Sequence, residues 1–168
     1  KMKPEALPSF DVIFLRDVIE HIPDQQKFMR FIKSFLKEDG VIFFGFPPWR
    51  MPFGGHQQVC QHKLLSKLPY FHLLPQFLYS GVLKLFGESQ ALIDGLAEVK
   101  ETGISIQEFF RYLKKSGFEI VRENHFLINP NYEIKFNLKP RLLPPIFKTP
   151  WLCDFYTTAI YCVAKKKL

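Results

Sequence analysis

Apolar and polar positions alternate between two patterns along the first fifty residues. Phe10–Leu15, FDVIFL, is a nearly continuous apolar run rich in β-formers, which suits a short strand buried on both faces of a parallel sheet. After it, Phe28, Phe31, Ile32, Phe35 and Leu36 recur at i, i+3, i+4, i+7 and i+8, the stripe of an amphipathic helix. Asp24 stands where an N-cap belongs, Lys33 and Lys37 where a helix C-terminus favours cations, and Gly40 where a left-handed C′ residue would end it. Val41–Phe46, VIFFGF, is a second apolar run, closed by Pro47-Pro48. The order strand, helix, strand is a βαβ unit.

The pattern then breaks. Residues 48 to about 100 open on a Pro/Gly loop, WRMPFGGHQQ, and continue through apolar, aromatic sequence interrupted by Pro69 and Pro75. This predicts an insertion of short helices, because proline cannot sit in a helix interior. Order resumes at Ser105, which with Glu108 makes a capping box, while Ile104 and Phe109 make a hydrophobic staple. That helix is predicted to run to about Ser116, with Gly117 as its C′ residue. Phe118–Ile128 reads as a strand, 129–150 as a second, irregular insertion, and DFYTTAIYCVAKK, from Asp154, as a closing strand.

Composition changes this picture little. At 168 residues, 47% hydrophobic and 23% charged, the chain is long enough and apolar enough for one domain with a real core. Nineteen phenylalanines point to an aromatic core or a large apolar pocket. The net charge of +7 is scattered, the one tight basic run being Lys165–Lys167. With no concentrated basic-aromatic patch and no NPPY-type motif, a nucleic-acid partner is not expected. Cys60, Cys153 and Cys162 are odd in number and lack CxxC spacing, so reduced thiols in a cytoplasm are the expectation. The N-terminal KMKPEALPSF lacks the apolar run of a signal peptide, and no apolar stretch is long enough to span a bilayer.

One segment is more specific. SFDVIFLRDVIEHIPDQQKFMRFIKSFLKEDGVIFFGFPP resembles the second half of a class I S-adenosylmethionine-dependent methyltransferase. Phe10-Asp11, Glu20-His21-Ile22-Pro23-Asp24 and Leu36-Lys37-Glu38-Asp39-Gly40 match that family's fourth strand, following turn and approach to the fifth strand in order and spacing. The resemblance implies an α/β fold: a partial Rossmann-like sheet of the fourth to seventh strands, the last antiparallel, with a helical insertion after the fifth. The whole of 1–168 is then the C-terminal half of a methyltransferase domain, with insertions at about 48–100 and 129–150. The family's glycine-rich loop and ribose-binding acid precede the fourth strand; here nine residues precede Phe10 and no GxGxG occurs. The implied cofactor is S-adenosylmethionine, its binding half largely missing.

The resemblance places Arg16 and Asp17 at the end of the fourth strand, facing the cleft, as cofactor contacts. Asp17, Glu20 and His21 stand at i, i+3 and i+4 and would share a face if the turn is helical. Two carboxylates and an imidazole suit Mg²⁺ or Mn²⁺, with His56 as a further ligand. Without metal, His21 could act as general base toward a hydroxyl acceptor. Alternatively, Glu20 and His21 only hold the turn by hydrogen bonds. Trp49, Arg50, Phe53 and His56 follow the fifth strand, where family members contact substrate; anchoring the loop is the competing role. His62, His72 and His125 lack ligand spacing and read as structural. The 63–87 stretch reads as a lid or packed subdomain in preference to a membrane-surface element, since its prolines break any long amphipathic helix.

Two functions follow. The first is methyl transfer to a small-molecule acceptor, directed to oxygen. The second is a non-catalytic, methyltransferase-like interaction or oligomerisation module. Without the family's first strand, Phe10–Leu15 would be an unpaired edge exposing Val12, Ile13, Phe14 and Leu15. A homodimer, or a separate N-terminal half, is therefore the expected partner.

Overall fold

The computed structural model describes residues 9–167. Residues 1–8, on which most of the signal-peptide reading rests, and residue 168 lie outside the described residues. Five strands, β1 (Phe10–Arg16), β2 (Leu36–Phe46), β3 (Phe118–Ile128), β4 (Arg141–Leu142) and β5 (Ala159–Lys166), form one sheet in the order β1-β2-β5-β3-β4. β1 and β2 are parallel, and β5 runs antiparallel to both of its neighbours, β2 and β3. Among the described residues seven α-helices accompany them: α1 (Gln25–Lys33), α2 (Lys63–Lys67), α3 (Gln76–Leu85), α4 (Gln90–Thr102), α5 (Ile106–Lys115), α6 (Asn131–Phe136) and α7 (Leu152–Tyr156). This is the partial Rossmann-like α/β sheet with its last strand antiparallel.

Local rules explain several elements. The Asp24 carboxylate accepts from the Lys27 N–H at 2.9 Å and starts α1. Ser105 and Glu108 close a reciprocal capping box at α5. Gly117, at φ +77°, then turns the chain into β3 in a conformation that a Cβ would disfavour. α1 and α5 lie on one face of the sheet, over a core of Met29, Ile42, Phe44, Phe109, Leu113 and Cys162. Phe109 is its aromatic hub, with ring centroids 5.2 Å from Phe44 and 4.8 Å from Phe46. A second cluster, including Leu65, Phe71, Tyr79, Leu83, Ile93 and Leu96, gives the helices between β2 and α5 a small core of their own.

Four expectations need correction. Phe10–Leu15 is not buried on both faces. Among the described residues β1 pairs only with β2, and Val12 and Phe14 are 60% and 61% exposed. The unpaired edge also bares only part of the set: Ile13 and Leu15 pack against the core. Gly40 ends no helix. α1 stops at Lys33, so Phe35 and Leu36 leave the helical stripe and Gly40 lies inside β2. Pairing jumps from Phe10 opposite Leu36 to Val12 opposite Val41, which bulges the intervening residues. A Cβ on Gly40 would sit 2.9 Å from the Phe10 carbonyl oxygen, so close approach, not left-handed φ, demands glycine. Lys37 consequently pairs with Asp11 at 2.9 Å instead of capping a helix. Finally, Asp154–Tyr156 belongs to α7, and the closing strand starts at Ala159.

The face of the sheet opposite α1 and α5 carries a row of rings. Phe14 stacks on Phe43 at 4.4 Å, Phe43 meets Tyr161 at 5.2 Å, and Tyr161 meets Phe126 at 5.0 Å. An apolar row beside an unpaired edge favours association. Light scattering over a dilution series should show this chain self-associating, and Val12→Lys should hold it monomeric where the parent chain associates. A wild-type monomer at every concentration would refute this.

Candidate active site

Parallel strands β1 and β2 end side by side, and the turns that leave them bring the site together. β1 is followed by Asp17, whose N–H donates to the Gly45 carbonyl at 2.7 Å and whose φ is +53°. A single 3₁₀ turn, Ile19–His21, follows. Asp17 lies outside that turn, so Asp17, Glu20 and His21 do not form one helical face. The Asp17 carboxylate lies 3.8 Å from Arg16 Nε instead. Among the described residues no group of three histidine, cysteine, aspartate and glutamate side chains could hold a metal ion. These residues therefore do not fit the Mg²⁺ or Mn²⁺ that their spacing suggested.

The turn does separate its two titratable groups. Glu20 is buried while His21 stands exposed, with Nε2 4.0 Å from Glu20 Oε1. Burial pushes the Glu20 carboxyl up to about 7, the nearby Asp17 charge adding to the shift. Its Oε2 has no hydrogen-bond partner, as suits a carboxyl that holds its proton near neutrality. From the other strand's loop comes His56, whose ring centroid is 5.3 Å from that of His21. Burial, then the His21 charge, lowers the His56 pKa, so this imidazole favours its neutral form. His56 also holds φ at +55°, an uncommon conformation for a side-chain-bearing residue.

Glu20 makes stability depend on pH in a definite direction. Its folded pKa, about 7, exceeds the 4.5 of an unperturbed glutamate. The folded state therefore binds the extra proton between these values, and stability from this group is lost as pH rises through them. Glu20→Gln removes this component. The variant should gain up to about 3 kcal/mol on the wild type between pH 4.5 and pH 8 in chemical denaturation. Parallel stability curves for the two proteins would contradict the assignment.

The remaining sequence candidates divide. Phe53 is half-buried on the loop, its carbonyl accepting from the His56 N–H at 3.2 Å. Trp49 is an anchor: its N–H donates to the Ile104 carbonyl at 2.9 Å and its ring meets His72 at 4.6 Å. Gly103 lies so close to the indole that a Cβ there would come within 2.4 Å of it. Arg50 faces Asp154, NH1 to Oδ2 at 3.6 Å, and Arg16 reaches the Asn131 side-chain oxygen at the start of α6. His72 is buried, with Nε2 2.7 Å from the Trp49 carbonyl, and burial lowers its pKa to about 4. Asp154 is what sequence reading missed. It is fully buried, accepts from the Ile106 N–H at the start of α5 at 2.7 Å, and its pKa is raised by burial. No local spacing marks it, because Arg50 and Ile106 are both distant in the chain.

A model of the methyltransferase domain matches residues 3–123. No curated protein matches. Among solved structures, the mitomycin 7-O-methyltransferase aligns over 97% of this chain and 32% of its own, at 15% identity and a TM-score of 0.43. An S-adenosylmethionine-dependent methyltransferase from Thermotoga maritima aligns over 99% of this chain and 62% of its own, at 14% identity and a TM-score of 0.48. The chain thus spans less than two thirds of either protein.

Proposed function

The chain belongs to the methyltransferase-domain family, and from that premise we propose that the protein methylates a hydroxyl oxygen of a small-molecule acceptor, with His21 as general base. The observation that carries this reading is the pairing of an exposed imidazole with a buried carboxyl at the end of β1, His21 Nε2 lying 4.0 Å from Glu20 Oε1. His21 takes the acceptor's O–H proton on a ring nitrogen, and the Glu20 carboxyl, which ionises above about pH 7, then stabilises the imidazolium that forms. His56, favouring its neutral form, and Phe53 wall the acceptor. Trp49 and Arg50 hold the loop from behind.

S-adenosylmethionine, the donor the family implies, supplies the electrophilic methyl group. We read the described residues as an incomplete cradle for it. The one glycine pair after a strand, Gly54-Gly55, has no open space: a Cβ on Gly54 would meet the Trp49 carbonyl oxygen at 2.1 Å, and one on Gly55 the His72 side chain at 2.1 Å. Arg16 and Asp17, at the end of β1, are the side chains this chain would offer the donor.

The uncovered ring row and edge of β1 favour a second reading, a non-catalytic interaction module. Calorimetric titration separates them in two stages. S-adenosylmethionine should bind this chain alone weakly or not at all, and micromolar binding would overturn the incomplete cradle. The full-length protein should bind it and place the methyl on oxygen in preference to the matching amine or thiol. A full-length protein that neither binds nor methylates would leave the module.

A further inference from the structure

The strand β3 ends at the same end of the sheet as β1 and β2, and the chain then runs through 131–152 before α7. In this segment Ile134 is 90%, Ile146 76% and Trp151 67% exposed, and Phe136 and Leu142 are exposed beside them. The same segment carries four cations, Lys135, Lys139, Arg141 and Lys148, against one acid, Glu133. All five of these charged residues are solvent-exposed, and none of the four cations is in an ion pair among the described residues.

We propose that the 131–152 segment docks the protein on an anionic lipid surface. Large apolar side chains interleaved with unpaired cations are what the acyl–headgroup boundary accepts: the rings and branched chains enter, and the cations stay among the phosphates. An exposed indole such as Trp151 suits that depth. The segment is a poor template for a strand from another protein or a second copy. Pro140, Pro144, Pro145 and Pro150 remove backbone N–H groups along it, and β4 offers two residues of pairing. Neither would an added strand beside β1 cover it, since β4 is at the opposite edge of the sheet. The contact of Arg16 with Asn131 ties α6 to the end of β1, so the docked surface adjoins the end of the sheet that carries His21.

Phosphatidylcholine vesicles with and without phosphatidylserine test this. The chain should co-sediment with the anionic vesicles, release on added salt, and show a blue shift of tryptophan fluorescence that Trp151→Phe removes. Trp49, packed against His72, leaves that signal to Trp151. The quadruple variant K135Q/K139Q/R141Q/K148Q should bind about a thousandfold more weakly. Ile134→Ser with Ile146→Ser should weaken binding without altering its salt dependence. Equal binding to both vesicle types, no binding, or a blue shift that survives Trp151→Phe would overturn the proposal. So would light scattering that shows a dimer abolished by the Ile134 and Ile146 substitutions.

Discussion

Alanine in place of His21 is expected to lower methyl transfer to a hydroxyl acceptor by about 10²–10⁴-fold in the full-length protein. That is the usual contribution of one positioned general base, about 3–5 kcal/mol of transition-state stabilisation. Stability should change by less than about 0.5 kcal/mol, because the ring is exposed and no cavity is created. Raising the pH should return part of the rate, since an acceptor that ionises by itself no longer needs the imidazole. Glu20→Gln should cost less, and chiefly above about pH 7, where it removes the charge that steadies the imidazolium. The opposite pattern, unchanged turnover with a large fall in Tm, would mean that His21 merely holds its turn.

Phe109→Ala should cost about 3–5 kcal/mol of folding free energy. A domain of this kind has roughly 5–15 kcal/mol in total, so the variant would be largely unfolded or close to it at moderate temperature. Phe109 is fully buried and its ring touches three others, Phe44, Phe46 and Phe110. It is also a residue through which α5 packs on β2, the strand that leads into the loop carrying His56. Urea denaturation measures the loss. Phe77→Ser is the control: Phe77 is exposed on α3, and its replacement should alter stability by no more than about 0.5 kcal/mol. A loss below about 1 kcal/mol for Phe109→Ala would show that the core collapses readily around the gap.

Much of the fold was legible because it is decided within a few residues. Asp24 caps α1 by a bond to the third residue after it, and Ser105 and Glu108 complete each other across one turn. Gly117 is required by the φ of a single residue, and Phe118–Ile128 is bounded by that glycine and by Asn129-Pro130. The family resemblance rested on such local runs too, and it carried the antiparallel last strand. The candidate site was half legible. His21 and His56 could each be named from their place after a strand, yet their meeting at 5.3 Å depends on two parallel strands ending together.

What only the tertiary structure decided is which neighbours each element meets. FDVIFL has the composition of a central strand, but exposure depends on whether another strand pairs with it, and among the described residues none does on its outer side. Gly40 sits in a sequence that reads as a helix end; the carbonyl of Phe10, across the strand pair, made it part of β2. Asp17 has helical spacing from Glu20 and His21, and its bond to Gly45 pulled it out of the turn. Asp154 carries no signal at all until folding sets Arg50 and the start of α5 against it. Periodicity records which face of an element is apolar. Pairing edges, close backbone approaches and buried charges are set by residues far apart in the chain, brought together only when the core closes.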